Sequence, residues 1–226
     1  MRDQTAGLRA IIRKVLWWGG RLAVVIVLIV VGLVVADSMH QKECHGSASH
    51  KGESYEFMGE RLTLLNTGQE TNGEVLVIDV SFKPTPQTNI LKWQEVHVHP
   101  HQEERFEVIS GVVRFRVGNR EETLTAGQTI TGPPNTPHAW SSADGKDIHM
   151  RAELRPALHT DAAFSSAQHV HATRGRVSLL QAAVIMSEFD GIPYPTKPPP
   201  LLMKGLVKVL APIGRLLGYR ACEQTA

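Results

Sequence analysis

The chain has 226 residues, of which 42% are hydrophobic and 20% charged, and its formal net charge is +2. This length allows one domain with its own core plus extensions, and the composition is typical of a globular protein. Residues 1–36 carry five basic side chains and one acidic one, so the remainder is close to neutral, which argues against nucleic acid as a partner. Cys44 and Cys222, the two cysteines, are too few for a disulfide framework and lack metal-site spacing, and the sequence leaves open whether they pair.

The first predicted element is the apolar segment 22–36, which follows a basic tail. As a helix it spans about 22 Å, and adding residues 16–21 extends it to about 31 Å, enough for a hydrocarbon core of roughly 30 Å. Because basic residues precede the segment, we expect a cytoplasmic N-terminus and an extracytoplasmic domain. Residues 1–36 are therefore interpreted as a single-pass membrane anchor, or as a signal peptide cleaved near Ala36 from a secreted or periplasmic protein. A buried core helix is disfavoured because every face is apolar.

The next part of the chain is predicted to be an all-β domain. Residues 37–56, rich in Ser, Gly, His and charge, are predicted to be a linker, and apolar and polar residues then alternate over 57–156. Strands are predicted at 61–66, 74–82, 91–99, 104–109, 112–118, 121–125, 128–131, 137–141 and 147–154. Many short, regularly spaced strands bounded by Gly, Pro and Asn are typical of a closed barrel or a sandwich.

Histidines in this domain have the spacing of a metal site. His97 and His99 lie two residues apart, Glu104 follows, and His138 comes later in the run TGPPNTPHAW. Side chains alternate along a strand, so the first two imidazoles share one face. Three imidazoles and one carboxylate suit a divalent Fe, Mn, Ni or Zn ion. A metal-free β domain with unrelated histidines is the alternative.

The same alternation predicts the surroundings of the site. Residues on the ligand-bearing faces of the predicted strands are Trp93, Glu95, Phe106, Val108 and Trp140. We expect the four apolar ones to form the wall of a substrate pocket, although plain core packing explains them equally well. The carboxyl group of Glu95 is the predicted catalytic acid or base, unless a bulge turns it outward.

Helices are predicted after the β domain. Residues 157–190 form a helical extension, with helices at 159–171 and 177–189. The run GIPYPTKPPP at 191–200 breaks regular structure and is predicted to be a stiff, proline-rich linker.

The last segment, 201–226, is predicted to be a basic amphipathic tail. On an ideal helix, Lys204, Lys208 and Arg215 fall within about 40° of one another. Such a helix lies in a membrane surface, or else packs against the β domain or a partner subunit. Pro212 is expected to kink or divide it.

The histidine region resembles the cupin superfamily, in particular small bacterial cupin-domain proteins with a quercetin-dioxygenase-like motif. The family's motifs are G-x5-H-x-H-x(3,4)-E-x6-G and G-x5-P-x-G-x2-H-x3-N. The positions that match are His97, His99, Glu104, Gly111, Gly127, Pro133 and His138. Leu91 and Asn135 replace glycines, and Ser142 replaces the final asparagine. Asn tolerates a left-handed backbone better than most residues, so the second turn can survive.

The resemblance implies a jelly-roll β-barrel in which His97, His99, Glu104 and His138 bind the metal, and it allows a homodimer paired through edge strands. Cupins with these ligands are mostly metal-dependent dioxygenases, oxidases, isomerases or decarboxylases. The leading hypothesis is therefore a membrane-tethered, dioxygenase-like oxidoreductase acting on a small apolar or phenolic molecule. A non-catalytic ligand-binding module and a metal-dependent isomerase or cyclase are the alternatives.

Overall fold

A computed structural model describes residues 2–39, 44, 49–57, 59–84 and 96–222. Trp93, Glu95 and most of the predicted strand 91–99 lie outside these residues. The strands of the β domain are β1 Ser54–Phe57, β2 Glu60–Leu64, β3 Leu76–Phe82, β4 His97–Val98, β5 Glu103–Ser110, β6 Val112–Val117, β7 Arg120–Thr125, β8 Thr129–Gly132, β9 His138–Ser142 and β10 Ile148–Arg155. The remaining elements are α1 Arg2–Ser38, α2 Thr160–Arg174, α3 Leu179–Glu188, β11 Tyr194–Pro195 and α4 Pro200–Leu216.

The strands form two antiparallel sheets, as an all-β domain requires. One sheet has the order β1-β2-β3-β10-β5-β8 and the other β11-β4-β9-β6-β7. The prediction of a closed barrel is wrong, because no strand of one sheet pairs with a strand of the other in the described part of the chain. The chain passes from one sheet to the other at Gly111, between β5 and β6. This residue has a φ of 90°, and a Cβ there would lie 2.7 Å from the carbonyl oxygen of Asp147.

The hydrophobic core lies between the two sheets. Strand β6 shows the alternation clearly, since Val113, Phe115 and Val117 are buried while the intervening Arg114 and Arg116 are only partly so. Most of the other core side chains come from the inward faces of β1, β2, β3, β5, β7, β8, β9 and β10. Burying each large apolar side chain contributes about 1.5–3 kcal/mol. The core therefore holds the sheets face to face around the site that they share.

The two predicted helices of the extension are present as α2 and α3. A Ser178 hydroxyl caps α3 by accepting a hydrogen bond from the Gln181 backbone N–H at 3.2 Å. Helix α4 packs closely on α3, since a Cβ at Gly214 would lie 2.7 Å from Cγ2 of Val184. Helix α4 also continues through Pro212, where we expected a division. Packing of its buried face on α3 offsets the hydrogen bond that proline cannot donate.

Two long-range contacts join the termini and the proline-rich segment to the rest of the fold. Cys44 and Cys222 form a disulfide with a Cα–Cα distance of 5.8 Å, which settles the pairing that the sequence left open. Strand β11 lies inside the segment predicted to be a linker, and it pairs with β4 so that Pro195 lies opposite His97. The C-terminal region is therefore attached to the edge of the sheet that carries the histidines.

Helix α1 contains the predicted membrane segment. Residues 13–36 are long and apolar enough to cross a membrane, by length and composition, and their apolar window has no buried residue. A signal sequence near an N-terminus has the same properties. The end of α1 contacts α4, and Val30, Leu33 and Val34 are partly buried.

Candidate metal centre

Four polar side chains meet between the two sheets. His97 lies on β4, His99 directly follows that strand, Glu104 lies on β5 and His138 on β9. One nitrogen or oxygen atom of each lies within 4.8 Å of the corresponding atoms of the other three. His97 and His138 are partners across β4 and β9, whereas Glu104 comes from the opposite sheet. The structure therefore brings together all four residues that the sequence predicts as metal ligands.

A glycine provides the space for one of these imidazoles. Gly132 on β8 lies directly opposite Glu104 on β5. A Cβ at this glycine would lie 3.0 Å from Nδ1 of His138. Any side chain there would push His138 away from the carboxylate.

The Glu104 carboxylate is the centre of the cluster. Its Oε2 atom lies 2.8 Å from Nε2 of His138, 3.3 Å from that of His99 and 3.7 Å from that of His97. Burial would raise the pKa of Glu104, but the charge of His99 and hydrogen bonds from the three histidines outweigh burial and hold that pKa well below its usual range. Burial would lower the pKa of His138, but the hydrogen bond to Glu104 and its charge outweigh burial and raise that pKa. The surrounding imidazoles therefore favour the charged form of the Glu104 carboxyl group.

This donor set fits a divalent transition-metal ion. Imidazole and carboxylate groups bind Fe, Mn, Ni and Zn, and ligand bonds of roughly 2 Å match a cluster whose donor atoms lie within 4.8 Å of one another. A bound cation would replace the imidazole protons and leave the buried carboxylate paired. The cluster can therefore hold one metal ion, whose identity the donor set leaves open.

Hydrogen bonds to the far side of two imidazoles orient them toward the cluster. Nδ1 of His138 lies 2.8 Å from the Thr136 carbonyl oxygen, which can only accept, so Nδ1 carries the proton and Nε2 faces Glu104. Nδ1 of His99 lies 3.1 Å from Oε1 of Gln102. These partners fix the tautomers in which Nε2 binds a metal.

Gln102, which the sequence analysis missed, is itself held in place. Its side chain is fully buried, and its Nε2 donates to the carbonyl oxygens of Pro156 and Ala157 and to the Thr160 hydroxyl, at 2.8, 3.0 and 2.9 Å. These acceptors orient the amide so that Oε1 faces His99. Since Thr160 begins α2, the C-terminal extension contributes to the shell around the metal ligands.

Replacing Gln102 by leucine should weaken metal binding about 10- to 100-fold, because His99 loses the acceptor that fixes its tautomer. The affinity is measured by competition with a chromogenic chelator, on protein whose circular dichroism matches the wild type. Gln128→Leu is the matched control, because Gln128 makes its hydrogen bonds to Thr125 at the surface. An affinity within twofold of the wild type for Gln102→Leu would contradict the positioning role.

The described residues of the predicted pocket, Phe106, Val108 and Trp140, lie in the hydrophobic core. The Phe106 ring lies 6.3 Å from the His138 ring and 5.2 Å from the Phe115 ring, centroid to centroid. Val108 is fully buried, and Trp140 packs edge-on against Phe82 at 5.5 Å. Phe106 therefore packs beside the cluster, whereas Val108 and Trp140 belong to the hydrophobic core. The structure describes no position for Trp93 or Glu95, which stay predictions.

A second carboxyl group, Glu60, was also missed. It begins β2 and shares the inward face with Leu62 and Leu64, both of which belong to the core. Among the described residues, none forms a hydrogen bond or ion pair with its side chain. Burial and the negative charge of Glu104 raise the pKa of Glu60 to about 8. The two-residue alternation with Leu62 could have identified it, but the predicted strand began one residue later.

Glu60→Gln should stabilise the metal-free protein at alkaline pH and leave it nearly unchanged below pH 4.5. The folded protein holds the proton up to about pH 8 whereas the unfolded chain releases it near the ordinary value of 4.5, so wild-type stability falls as pH rises between these values. The expected gain above pH 8 is about 2 kcal/mol, less than the full shift implies because solvent reaches part of the side chain.

Urea unfolding of both proteins between pH 4 and pH 9 measures this difference. Glu56→Gln on the neighbouring strand, where the carboxyl group is exposed, is the matched control. A difference in free energy of unfolding that does not change with pH would contradict the assignment of Glu60 as a buried, protonated carboxyl.

Two antiparallel sheets enclosing three histidines and a carboxylate define a β-sandwich domain with a candidate metal centre. Residues 92–152 match the family model of the cupin domain. The chain therefore contains a domain of the cupin superfamily, and the predicted family is confirmed.

Several solved structures are similar to the chain. An RmlC-like cupin from Shewanella frigidimarina is 21% identical, with a TM-score of 0.39 over 50% of this chain and 91% of that one. KdgF from Halomonas sp. is 14% identical, with a TM-score of 0.37 over 44% of this chain and 82% of that one. Pac13 from Streptomyces, described as a nucleoside dehydratase, is 17% identical, with a TM-score of 0.38 over 49% of this chain and 83% of that one. None of the curated proteins matches the chain.

Proposed function

We propose that this protein is a membrane-tethered, metal-dependent cupin enzyme, a dioxygenase-like oxidoreductase acting on a small apolar or phenolic molecule. The observation that carries the proposal is the cluster of His97, His99, Glu104 and His138, with donor atoms within 4.8 Å of one another. A bound Fe or Mn ion would supply redox chemistry and would polarise a coordinated substrate.

The side chains around the cluster have separate roles in this proposal. His97 is 24% exposed whereas His99 and His138 are nearly buried, so a substrate approaches the cluster from the His97 side. The apolar side chains of Phe106 and Trp140 exclude water from the inner side. Glu60, whose pKa is raised by burial and by the charge of Glu104, is a candidate to donate a proton to a substrate oxygen, a role that we also propose for Glu95.

The disulfide supports an extracytoplasmic location for the domain. Disulfides such as Cys44–Cys222 persist in oxidising compartments and are rare in the cytosol. The basic residues before the apolar part of α1 favour the same orientation, with the N-terminus inside. We therefore propose a single-pass anchor with the cupin domain outside, and pairing of two copies through sheet edges stays a prediction.

The function is tested with the full chain purified in detergent and loaded with Fe(II) or Mn(II). Elemental analysis should give one metal equivalent per chain, and an oxygen electrode should record uptake with at least one member of a panel of phenols and enols. Conversion without oxygen uptake would instead identify an isomerase or cyclase. Thermal stabilisation by a panel member without any product would identify a binding module.

A further inference from the structure

Helix α4 has an outer face that is apolar although solvent-exposed. Its inner face, which includes Val207, Ala211 and Gly214, is buried against the other helices. On the outer side Leu201, Leu202, Leu206, Leu216 and Leu217 are between 39% and 84% exposed. Leu179 at the start of α3 is 69% exposed as well. A helix face with this many exposed leucines is typical of a docking surface.

Positive charge surrounds this outer face of α4. Between residues 160 and 222 the chain has seven Lys and Arg residues and three Asp and Glu residues, a net charge of +4. Lys204 and Lys208 are exposed on α4, next to the leucines. Arg215 was predicted to share the basic face of the tail with Lys204 and Lys208. Its guanidinium instead lies 3.4 Å from the buried carboxylate of Glu188. The basic part of the surface is therefore formed by the two lysines, and it suits an anionic partner.

The chain also fixes where this face lies relative to α1. Cys44 follows the end of α1 by six residues, and Cys222 follows the end of α4 by six residues. Six residues extend over at most about 20 Å, so the disulfide limits the distance between the ends of the two helices to about 46 Å. Helix α4 contacts α1, and the part-buried residues of α1 are Val30, Leu33 and Val34 in its last turns, among those described. If α1 spans a bilayer, α4 lies where it leaves the bilayer.

We propose that the outer face of α4 docks on the surface of an anionic lipid bilayer, where the Cys44–Cys222 disulfide and the contact with α1 hold it. Leucines enter the boundary between headgroups and acyl chains, and Lys204 and Lys208 contact lipid phosphates. This inference rests on the proposed membrane anchor. It assigns the tail to the bilayer, and it places the cupin domain close to the membrane surface.

The test uses the full chain in nanodiscs containing phosphatidylglycerol and phosphatidylcholine. An environment-sensitive fluorophore is attached at Leu206→Cys, and at Thr123→Cys on β7 as the matched exposed control. Lipids with a nitroxide near the headgroup should quench the α4 probe severalfold more than the β7 probe. Lys204→Glu combined with Lys208→Glu should lower the docked fraction about tenfold in anionic discs. The double variant should have little effect in discs of phosphatidylcholine alone.

The controls separate this proposal from the one on which it rests. Resistance to alkaline extraction reports on α1 alone, and metal content reports on the histidine cluster alone. With α1 inserted, equal quenching at the two probe positions would overturn the docking proposal. A probe on α4 that is shielded from water but not quenched by the lipid nitroxide would place a second copy or another protein there, and would overturn it too.

Discussion

Replacing His99 by alanine should remove the bound metal ion from the purified protein. His99 is 3% exposed, its Nε2 lies 3.3 Å from Glu104 Oε2, and Gln102 holds its ring from the other side. Loss of residues that only orient a ligand costs about 10- to 100-fold in affinity, so loss of a ligand itself should cost at least about 100-fold. Elemental analysis should fall from one equivalent to near zero, and titration against a chelator gives the affinity.

The matched control for this variant is His149→Ala. His149 is also on a strand and also pairs with a carboxylate, Asp79 at 2.6 Å, but the pair is part-exposed, away from the cluster. It should therefore retain one metal equivalent. If His99→Ala binds metal as tightly as the wild type, the four side chains do not act as one site, and the proposed enzyme function fails with it.

The metal cluster was predictable because its information is local. Alternation along one strand places His97 and His99 together, and the motif spacing adds Glu104 and His138 without any knowledge of the sheets. The strands of the β domain follow from the same alternation, and most of them were predicted to within two residues. A local pattern does not specify which strands pair across the domain, so the two open sheets could not be distinguished from a closed barrel.

What the sequence did not predict depends on contacts between distant segments. Gln102 lies inside the predicted motif, but its role depends on Pro156, Ala157 and Thr160, which are more than 50 residues away. Arg215 has the spacing of a surface residue on α4, yet it pairs with Glu188 from α3. In both cases the partner is chosen by how the C-terminal helices pack, and helical periodicity alone cannot indicate that packing.

These distant contacts give the C-terminal region two connections to the metal centre. Strand β11 pairs with β4 opposite His97, and Thr160 accepts a hydrogen bond from the amide that orients His99. Changes in the packing of the helices therefore reach two ligands directly. If α4 rests on a bilayer as we propose, the membrane-proximal helices and the metal ligands belong to one connected structure.

Removing the disulfide with the double variant Cys44→Ala and Cys222→Ala should cost about 3–5 kcal/mol of the free energy of unfolding. The bond closes a loop with a sequence separation of 178 residues, and a loop of that length strongly restricts the unfolded chain. Alanine is chosen because Cys44 is buried in an apolar cluster with Val184, Ile185 and Phe189, where a serine hydroxyl would add its own cost. Urea unfolding in detergent gives the free energy, and the thermal midpoint should fall by about 10 °C.

Reduced wild-type protein separates the covalent bond from the loss of two side chains. Reduced wild-type protein lacks the bond but keeps both sulfur atoms, so it should lose nearly as much stability as the alanine variant. The alanine variant has no disulfide, so adding reductant should leave its stability unchanged. The loss should also appear as faster proteolysis between residues 39 and 49, because the bond fixes the position of Cys44 beside Glu188. Equal midpoints for oxidised wild type and alanine variant would mean that packing alone holds α4 near the end of α1.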